Sequence, residues 1–252
     1  MQLDPTARAA GVRHIALETV GSTNAEALDR ARWRERGPLW ITAQRQSAGR
    51  GRRGRTWTSP PGNLYASLLL SEPSPEALAP QLSFVAALAL HDALCDCAPR
   101  LGPLFKLKWP NDVLLGPDKL AGILLESERA PEFAVVIGFG VNCVEHPAGT
   151  EFPATDLRLA GAAVAAEALL AGLSAAMLAR LAQWQSGAGF ASIRADWLTR
   201  AAGLGEQIRV RLPERELSGR FQGLDDAGRL QVEQPDGMVT VTAGDVFGLG
   251  GT

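Results

Sequence analysis

The sequence predicts an α+β protein in two parts, a mixed-sheet domain over residues 1–203 and a small β-barrel over residues 204–252. In the first part, strand and helix patterns follow one another without the regular βαβα rhythm of a Rossmann fold. From Gly205 onwards, apolar and polar residues alternate between tight turns at residues 225–228 and 235–237, which is typical of a small barrel. With 46% hydrophobic residues, the chain of 252 has enough apolar side chains for a sizeable core.

The first elements of the larger part are a strand, a polar turn and a helix. Residues 13–20 have the pattern of a strand. Ser22, Thr23 and Asn24 follow it, and all three residue types are preferred at helix N-caps. The stretch 25–35, rich in Ala, Leu, Arg and Glu, therefore predicts a helix that begins at this turn.

The remaining elements are short strands around long alanine- and leucine-rich helices. Strands are predicted at residues 38–44, 64–70, 105–109, 113–115, 120–127 and 133–141. Helices are predicted at residues 75–97 and 155–201, the second one broken near residues 187–189. No apolar run reaches the roughly 18 residues needed to cross a bilayer, so we expect no membrane-spanning segment.

Charge and cysteine content exclude several classes of protein. A net charge of -2 and a pI of about 6.0 give no general attraction to nucleic acid. Cys95, Cys97 and Cys143 have neither the even count of a disulfide framework nor the spacing of a zinc site. They are expected to be small apolar side chains of a cytoplasmic protein. The first residues include the charged Asp4 and no apolar run of the kind found in signal peptides, so no signal peptide is expected.

The most unusual segment is the Arg/Gly loop, defined as residues 49–55, in which four arginines alternate with three glycines. Arginine forks onto carboxylate and phosphate oxygens, and glycine allows positive φ and close approach of backbone N–H groups. Such a loop suits an anionic small molecule such as a triphosphate or an acyl phosphate. A solvated basic loop and an RNA-binding segment remain open from this run alone, although only Trp57 and Tyr65 add aromatic side chains.

A second polar cluster begins at Pro110. Asn111 and Asp112 are expected at an exposed corner between strands, where the carboxylate could hold Mg²⁺ or simply form a turn. Lys119 opens an apolar strand and would face either a pocket or solvent. Gly122, inside that strand, is typical of a close approach by a ligand or another backbone.

Taken in order, these segments resemble the biotin protein ligases, strongly over residues 12–145. The matching segments are Ser22-Thr23-Asn24, Gln46 to Arg55 (Gln-Ser-Ala-Gly-Arg-Gly-Arg-Arg-Gly-Arg), Trp57, residues 108–112 (Lys-Trp-Pro-Asn-Asp), residues 119–123 (Lys-Leu-Ala-Gly-Ile) and residues 140–142 (Gly-Val-Asn). The resemblance implies a catalytic domain of the biotin/lipoate ligase type, which binds biotin and ATP, followed by an SH3-like barrel.

The resemblance also implies the roles of the residues. Biotin would be bound by Ser22, Thr23, Asn24, Gln46, Arg50, Gly51, Arg52, Lys119 and Gly122. The nucleotide would be bound by Arg52, Arg55, Trp57, Asn111, Lys119 and Asn142. The catalytic residues would be Arg52, Lys119 and Asp112, and Asp112 would also bind Mg²⁺.

The implied reaction is activation of biotin by ATP to biotinyl-AMP, followed by transfer to a lysine of the biotin carboxyl carrier protein of a carboxylase. Some members of the family carry an N-terminal DNA-binding domain, but only about 20 residues precede Ser22, so we expect no role on DNA. Neither a membrane partner nor a fixed oligomeric state is implied, and a homodimer stays open. Lipoate or octanoyl transferases share the architecture, but the Arg/Gly loop favours biotin over their substrates.

Overall fold

The computed structural model describes residues 1–129 and 132–248, in which a seven-stranded sheet carries helices on both faces. Its strands are β1 (Arg13–Val20), β2 (Leu39–Gln46), β3 (Leu64–Ser71), β4 (Phe105–Lys108), β5 (Asp112–Leu115), β6 (Asp118–Glu128) and β7 (Ala134–Val141). They lie in the order β1-β2-β3-β7-β6-β5-β4. Strands β1 and β2 are parallel and all other neighbours antiparallel, so the sheet is mixed, as predicted.

Five α-helices accompany this sheet in the described residues. They are α1 (Pro5–Ala9), α2 (Thr23–Arg32), α3 (Leu82–Cys97), α4 (Ala166–Trp184) and α5 (Phe190–Thr199). Short 3₁₀ turns occur at Arg52–Gly54, Glu76–Gln81, Pro99–Leu104 and Gln185–Gly187. Helix α2 covers one face of the sheet, while α3 and α4 pack together on the other.

Alternation along the strands explains why both faces are covered. In β2, Leu39 and Ile41 point to the cluster around α2, whereas Trp40 points to the larger core under α3. In β3, Leu69 joins the α2 side and Leu68 the α3 side. Because successive side chains of a strand face opposite ways, a central strand that is apolar throughout needs helices on both sides.

Two predicted helices begin later than expected. The segment predicted as helix from residue 75 is a 3₁₀ turn as far as Gln81, because Pro80 has no N–H for an α-helical ladder, and α3 begins at Leu82. The helix predicted from residue 155 begins at Ala166. Before it, Asp156 accepts a hydrogen bond from the Leu159 backbone at 2.7 Å, which closes a turn instead.

The expectation that no segment is long and apolar enough to cross a bilayer was wrong. The helical segment Glu76–Cys97 contains an 18-residue window that passes by length and hydropathy. However, 72% of this window is buried inside the fold, where α3 packs against α4 and the sheet. Its apolar character is thus accounted for by core packing.

The C-terminal residues form a five-stranded antiparallel sheet, in line with the predicted SH3-like barrel. Its strands are β8 (Gln207–Arg211), β9 (Glu216–Leu224), β10 (Leu230–Gln234), β11 (Gly237–Val241) and β12 (Asp245–Phe247), in the order β11-β10-β9-β8-β12. The Trp109 indole donates to the Gly228 carbonyl at 3.1 Å, and both sheets contribute to one hydrophobic cluster. Residues 249–252 of the predicted second domain lie outside the described residues.

Candidate functional site

A cavity of about 270 Å³ opens where the N-terminus of α2, the Arg/Gly loop and the ends of β5 to β7 converge. The structure brings every sequence-predicted site residue to its lining: Ser22, Thr23, Asn24, Gln46, Arg50, Gly51, Arg52, Arg55, Trp57, Asn111, Asp112, Lys119, Gly122 and Asn142. The C-terminal sheet contributes Asp245 to the same cavity. Residues distant in the sequence therefore form one continuous wall.

The cavity has a neutral end, lined by Ser22, Thr23, Asn24 and Gln46 and supported from behind by Ser67, in which polar groups bond to one another. Gln46 Oε1 accepts from the Thr23 backbone N–H at 2.8 Å, and Gln46 Nε2 donates to Ser59 Oγ at 3.0 Å. Ser67 Oγ lies 2.6 Å from Asn24 Oδ1 and 2.8 Å from Thr23 Oγ1. Since an amide oxygen can only accept, the Ser67 hydroxyl donates to Asn24.

Asn24 is held by bonds on both sides of its amide. Its Nδ2 donates to the Leu124 carbonyl at 3.2 Å and to Glu126 Oε2 at 2.8 Å, while its oxygen accepts from Ser67. A Cβ at Gly138 would lie only 2.2 Å from Asn24 Oδ1, so glycine is required there. With both N–H groups used, Asn24 supports the wall of the neutral end and has no free donor for a ligand.

The backbone of the Arg/Gly loop is a short hairpin. Arg50 and Thr56 pair as an isolated bridge, and the Gly51 N–H donates to the Arg55 carbonyl at 2.7 Å. The expectation of positive φ at its glycines applies at Gly54 (φ 73°) but is wrong for Gly51, which has φ -114°. Gly49 serves close approach instead, since a Cβ there would lie 2.4 Å from the Trp57 carbonyl oxygen.

Arg50 and Arg52 of the loop contact different parts of the protein. Arg50 Nη2 lies 3.1 Å from Glu126 Oε2, the same oxygen that binds Asn24. Arg52 Nη1 donates to Asn111 Oδ1 at 2.8 Å, and Arg52 Nη2 lies 3.4 Å from the Gly244 carbonyl. Burial lowers the pKa of Arg52 below the usual value for arginine, which favours the arrival of an anion at this guanidinium.

Asp245 fastens the loop to the C-terminal sheet. Its carboxylate pairs with Arg53 at 3.2 Å and with Arg55, and its side chain is only 6% exposed. Burial acts to raise the pKa of Asp245, but the pairs with Arg55 and Arg53 outweigh it and hold the pKa below its usual range. No sequence pattern points to Asp245, because it lies 190 positions from Arg55 and belongs to no local motif.

Beyond the loop, the cavity has a cationic end, defined by Arg52, Arg55, Lys108 and Lys119 around Asp112. Lys119 Nζ forms an ionic contact with the buried Asp112 Oδ1 at 2.7 Å, and within the described residues no other group bonds to this oxygen. The predicted exposed corner is wrong, since the Asp112 side chain is 13% exposed. Its position opposite Lys108 in the β4–β5 pair draws it into the cavity wall.

The Trp57 indole fills space that is open because residue 140 has no side chain. A Cβ at Gly140 would lie 2.5 Å from Trp57 Cε2, so a larger residue in β7 would displace the indole. Lys119 Nζ lies 5.5 Å from the ring centroid, within cation–π range. The buried Trp57 Nε1 has no hydrogen-bond partner in the described part of the chain, which leaves one donor available at this wall.

Two asparagines position neighbouring backbone. Asn111 Nδ2 donates to the Ile123 carbonyl at 2.7 Å while its oxygen accepts from Arg52. Asn142 is 2% exposed, and its Nδ2 donates to the Thr155 carbonyl at 3.0 Å, which ties β7 to the loop that follows it. Over residues 1–129 and 132–248, no group of three or more His, Cys, Asp or Glu side chains has the geometry of a metal cluster.

Comparisons with known proteins agree on one family. The model of the biotin/lipoate A/B protein ligase family matches residues 17–142, and that of the biotin protein ligase C-terminal domain matches residues 203–248. A biotin–[acetyl-CoA-carboxylase] ligase of Paracoccus denitrificans is 44% identical over 92% of this chain and 98% of its own.

Two solved structures share the fold over nearly the whole chain. A biotin protein ligase from Aquifex aeolicus in complex with biotin and ATP has a TM-score of 0.79 and 27% identity, covering 93% of this chain and 97% of the other. A biotin protein ligase from Leishmania major in complex with biotinyl-5-AMP has a TM-score of 0.62 and 26% identity, covering 92% and 99%.

Proposed function

This chain belongs to the biotin/lipoate A/B protein ligase family, and from that premise we infer that it is a biotin–[acetyl-CoA-carboxylase] ligase. It activates biotin with ATP to biotinyl-5′-AMP and transfers biotin to a lysine of a biotin-dependent carboxylase. The observation that carries this function is one cavity in which a neutral hydrogen-bonding end adjoins a cationic end. Biotin is complementary to this cavity, because it has a neutral ureido ring at one end and a negatively charged carboxylate at the other.

We assign the neutral end to the biotin ring system. The Ser22 and Thr23 hydroxyls and the second N–H of the Gln46 amide would bind the ureido atoms, whereas Asn24 holds this wall in place. Arg50, Gly51 and Gly122 would border the remainder of the bound biotin. A site in which buried polar groups match a substrate rejects analogues that lack those groups, because they leave the site unpaired.

We assign the cationic end to the nucleotide and to the reacting carboxylate. Arg52 and Lys119 would contact the α-phosphate, with Arg55, Trp57, Asn111 and Asn142 around the rest of the nucleotide. A biotin carboxylate oxygen bonds to the α-phosphorus as the bond to the bridging oxygen breaks and its electron pair leaves on pyrophosphate. Preorganised cations stabilise the charge that develops on the phosphoryl oxygens, an effect on the order of 3 kcal/mol for one such group.

The second step consumes the mixed anhydride. The neutral amine of the acceptor lysine attacks the biotinyl carbonyl carbon, AMP leaves with the electron pair of the cleaved C–O bond, and the amide nitrogen loses a proton to solvent. The Arg/Gly loop covers the anhydride and keeps water away from it until the acceptor arrives. We propose the biotin carboxyl carrier domain of the carboxylase as the acceptor.

Mg²⁺ forms part of the proposal, with Asp112 as its protein ligand. In the described part of the chain, the buried Asp112 Oδ1 has only the ionic contact with Lys119, and a carboxylate oxygen is the ligand type that Mg²⁺ prefers. When bound, the ion would neutralise charge on the triphosphate. A single carboxylate is sufficient because Mg²⁺ in nucleotide sites takes most of its remaining ligands from phosphates and water.

The proposal extends to domains, compartment and partners. Residues 1–203 would bind biotin and ATP, and residues 204–252 would fasten the Arg/Gly loop through Asp245. The three cysteines are free, which suits a reducing cytoplasm. No operator DNA or membrane enters the proposed reaction, and sedimentation at several concentrations will decide between a monomer and a homodimer.

Biotin-dependent exchange of labelled pyrophosphate into ATP tests the first step, and labelled biotin transferred to a carrier domain tests the second. We expect both activities with biotin and neither with lipoate or octanoate in its place. Exchange that is driven better by lipoate than by biotin would assign the chain to the lipoate branch of the family. No exchange with biotin, ATP and Mg²⁺ together would refute the proposed reaction.

A further inference from the structure

Lys108, the last residue of β4, is a buried lysine with no conventional partner. Its exposed fraction is 8%, and it lines the cavity. Among the described residues, no carboxylate or carbonyl lies at ion-pair or hydrogen-bond distance from its ammonium. Nζ instead lies 3.9 Å from the centre of the Phe152 ring, which is stacked on Phe247 of the C-terminal sheet at 4.8 Å.

The carboxylate opposite Lys108 already pairs with another lysine. Lys108 and Asp112 are directly opposite in the β4–β5 pair, a relation that normally brings opposite charges together. Asp112, however, pairs with Lys119 at 2.7 Å, and the next carboxylate, Asp245, pairs with Arg53 and Arg55. Two lysines therefore share one carboxylate, and the cationic end has more positive than negative charge in a partly dehydrated wall.

Burying a charge without a hydrogen-bonding partner is costly, so such a residue is expected to have a ligand. The charged groups that face Lys108 are Asp112, Lys119, Asp245 and Arg55. Burial lowers the pKa of Lys108 to about 8, against the attraction of Asp112, so the ammonium remains mainly charged at neutral pH. An aromatic face is a weak partner that a phosphate oxygen readily replaces.

The position of Lys108 in the cavity indicates which phosphate groups of ATP it would contact. In β7, Gly138 packs against Asn24 of the neutral end, and Gly140, two residues along, packs against Trp57. Lys119 lies next to the Trp57 ring, and Asp112 pairs with Lys119 and lies opposite Lys108. Lys108 is thus one step farther from the neutral end, next to Phe152 and the C-terminal sheet. If Lys119 contacts the α-phosphate, the groups within reach of Lys108 are the β- and γ-phosphates.

We propose that Lys108 binds the β- and γ-phosphates of ATP and stabilises pyrophosphate as the leaving group of the adenylation step. This inference rests on the proposed function and makes Lys108 a catalytic residue of the first half-reaction. As the bond between the α-phosphorus and the bridging oxygen breaks, negative charge moves onto pyrophosphate, where the ammonium receives it. In the transfer step pyrophosphate has left, and Lys108 has no reacting group to contact.

The competing interpretation is structural, with Lys108 serving only to hold Phe152 in place. Lys108→Met separates the two, because methionine keeps an apolar chain against the ring but removes the charge. Lys106→Met is the matched control: it lies on the same strand, is exposed and takes no part in the cavity. Lys108→Arg restores a cation and is the rescue variant.

Three measurements are made on the full-length protein: biotin-dependent pyrophosphate exchange, the affinities for ATP, pyrophosphate and AMP, and single-turnover transfer from preloaded biotinyl-AMP. For Lys108→Met we expect exchange and the affinities for ATP and pyrophosphate to fall between about 10-fold and about 100-fold, the contribution of one charge-assisted hydrogen bond. AMP affinity should change less than about 2-fold, and Lys108→Arg should recover most of the exchange.

Two results would overturn the inference. Exchange by Lys108→Met at the rate of the Lys106→Met control would show that the ammonium contacts no leaving group. Equal losses in exchange and in transfer from preloaded adenylate would assign Lys108 a structural role. Absence of exchange in the unmodified protein would instead refute the proposed function, so the two failures are distinguishable.

Discussion

The neutral and cationic ends of the cavity satisfy their polar groups in opposite ways. At the neutral end, Ser67, Asn24 and Gln46 bond to one another and to backbone, so buried donors and acceptors have partners within the chain. At the cationic end, Lys108 lies on an aromatic ring and the Trp57 indole N–H has no partner in the described residues. The buried polar groups of the neutral end thus have partners without a ligand, whereas those of the cationic end would gain one from a bound anion.

This difference indicates that the two ends of the cavity have different roles. A saturated hydrogen-bond network is rigid and gives a fixed shape, which is what selection of a neutral ring system requires. A buried cation without an anionic partner, as Lys108 is, raises the free energy of the empty site, and a bound phosphate would lower it, so such a cation favours a charged transition state. Substitutions at the two ends should therefore have separable effects.

The largest effect is expected at Lys119. Lys119→Ala removes a cation that we propose contacts the reacting carboxylate and α-phosphate, so biotinyl-AMP formation should slow by about 10²- to 10³-fold. Pre-steady-state quench of adenylate formation measures it, with Lys106→Ala as a control that removes an exposed lysine. A loss below about 5-fold would contradict the contrast between the ends, because one charge-assisted hydrogen bond already contributes more than this.

The next effect tests the neutral end. Ser67→Ala leaves the buried Asn24 oxygen without its hydroxyl donor, at a cost of about 1 to 3 kcal/mol. We expect weaker biotin binding by calorimetry and unchanged affinity for AMP. Ser218→Ala is the control, an exposed serine in β9 of the other sheet. Equal weakening of biotin and AMP binding would show that the two ends are not separable.

Stability provides a third test, in which a functional residue should be unfavourable for folding. The lowered pKa of Lys108 means that the buried ammonium opposes folding below pH 8, so Lys108→Met should raise the free energy of unfolding at pH 7 by about 1 to 3 kcal/mol. The gain should shrink as pH rises from 8 towards 10.5, where the folded protein has already lost this proton. Urea denaturation at pH 7 and 10 measures this change in the free energy of unfolding. A Lys108→Met variant less stable than the unmodified protein at pH 7 would contradict the interpretation of Lys108 as an unpaired buried charge.

The smallest effect is expected where the cationic end already has a carboxylate. Asp245→Asn keeps the shape but removes the charge that holds Arg53 and Arg55, which are 34% and 45% exposed and stay hydrated. Loosening the loop should speed biotinyl-AMP dissociation by only a few-fold, about 1 kcal/mol, and less at high salt. An unchanged dissociation rate at low salt would show that the C-terminal sheet does not hold the loop.

The local patterns of the sequence determined most of the architecture. Alternation and apolar runs predicted β1 at its exact bounds and the other strands of the mixed sheet within a few residues. Ser22, read as a candidate N-cap, accepts from the Ala25 backbone at 3.5 Å, and α2 begins directly after it. These predictions depend on neighbours in the chain, because propensity, capping and turn chemistry are local.

The sequence motifs also named the residues that line the cavity, but only the tertiary structure decided what each one contacts. Ser67 reaches Asn24 across 43 positions, Glu126 reaches it across 102, and Asp245 reaches Arg55 across 190. The sequence left Asp112 open between a turn and a metal site, and only the fold shows that one of its oxygens is buried beside Lys119. Burial, pairing and pKa depend on which groups the packed sheets bring together, so the chemistry of the site was decided by contacts that no local pattern contains.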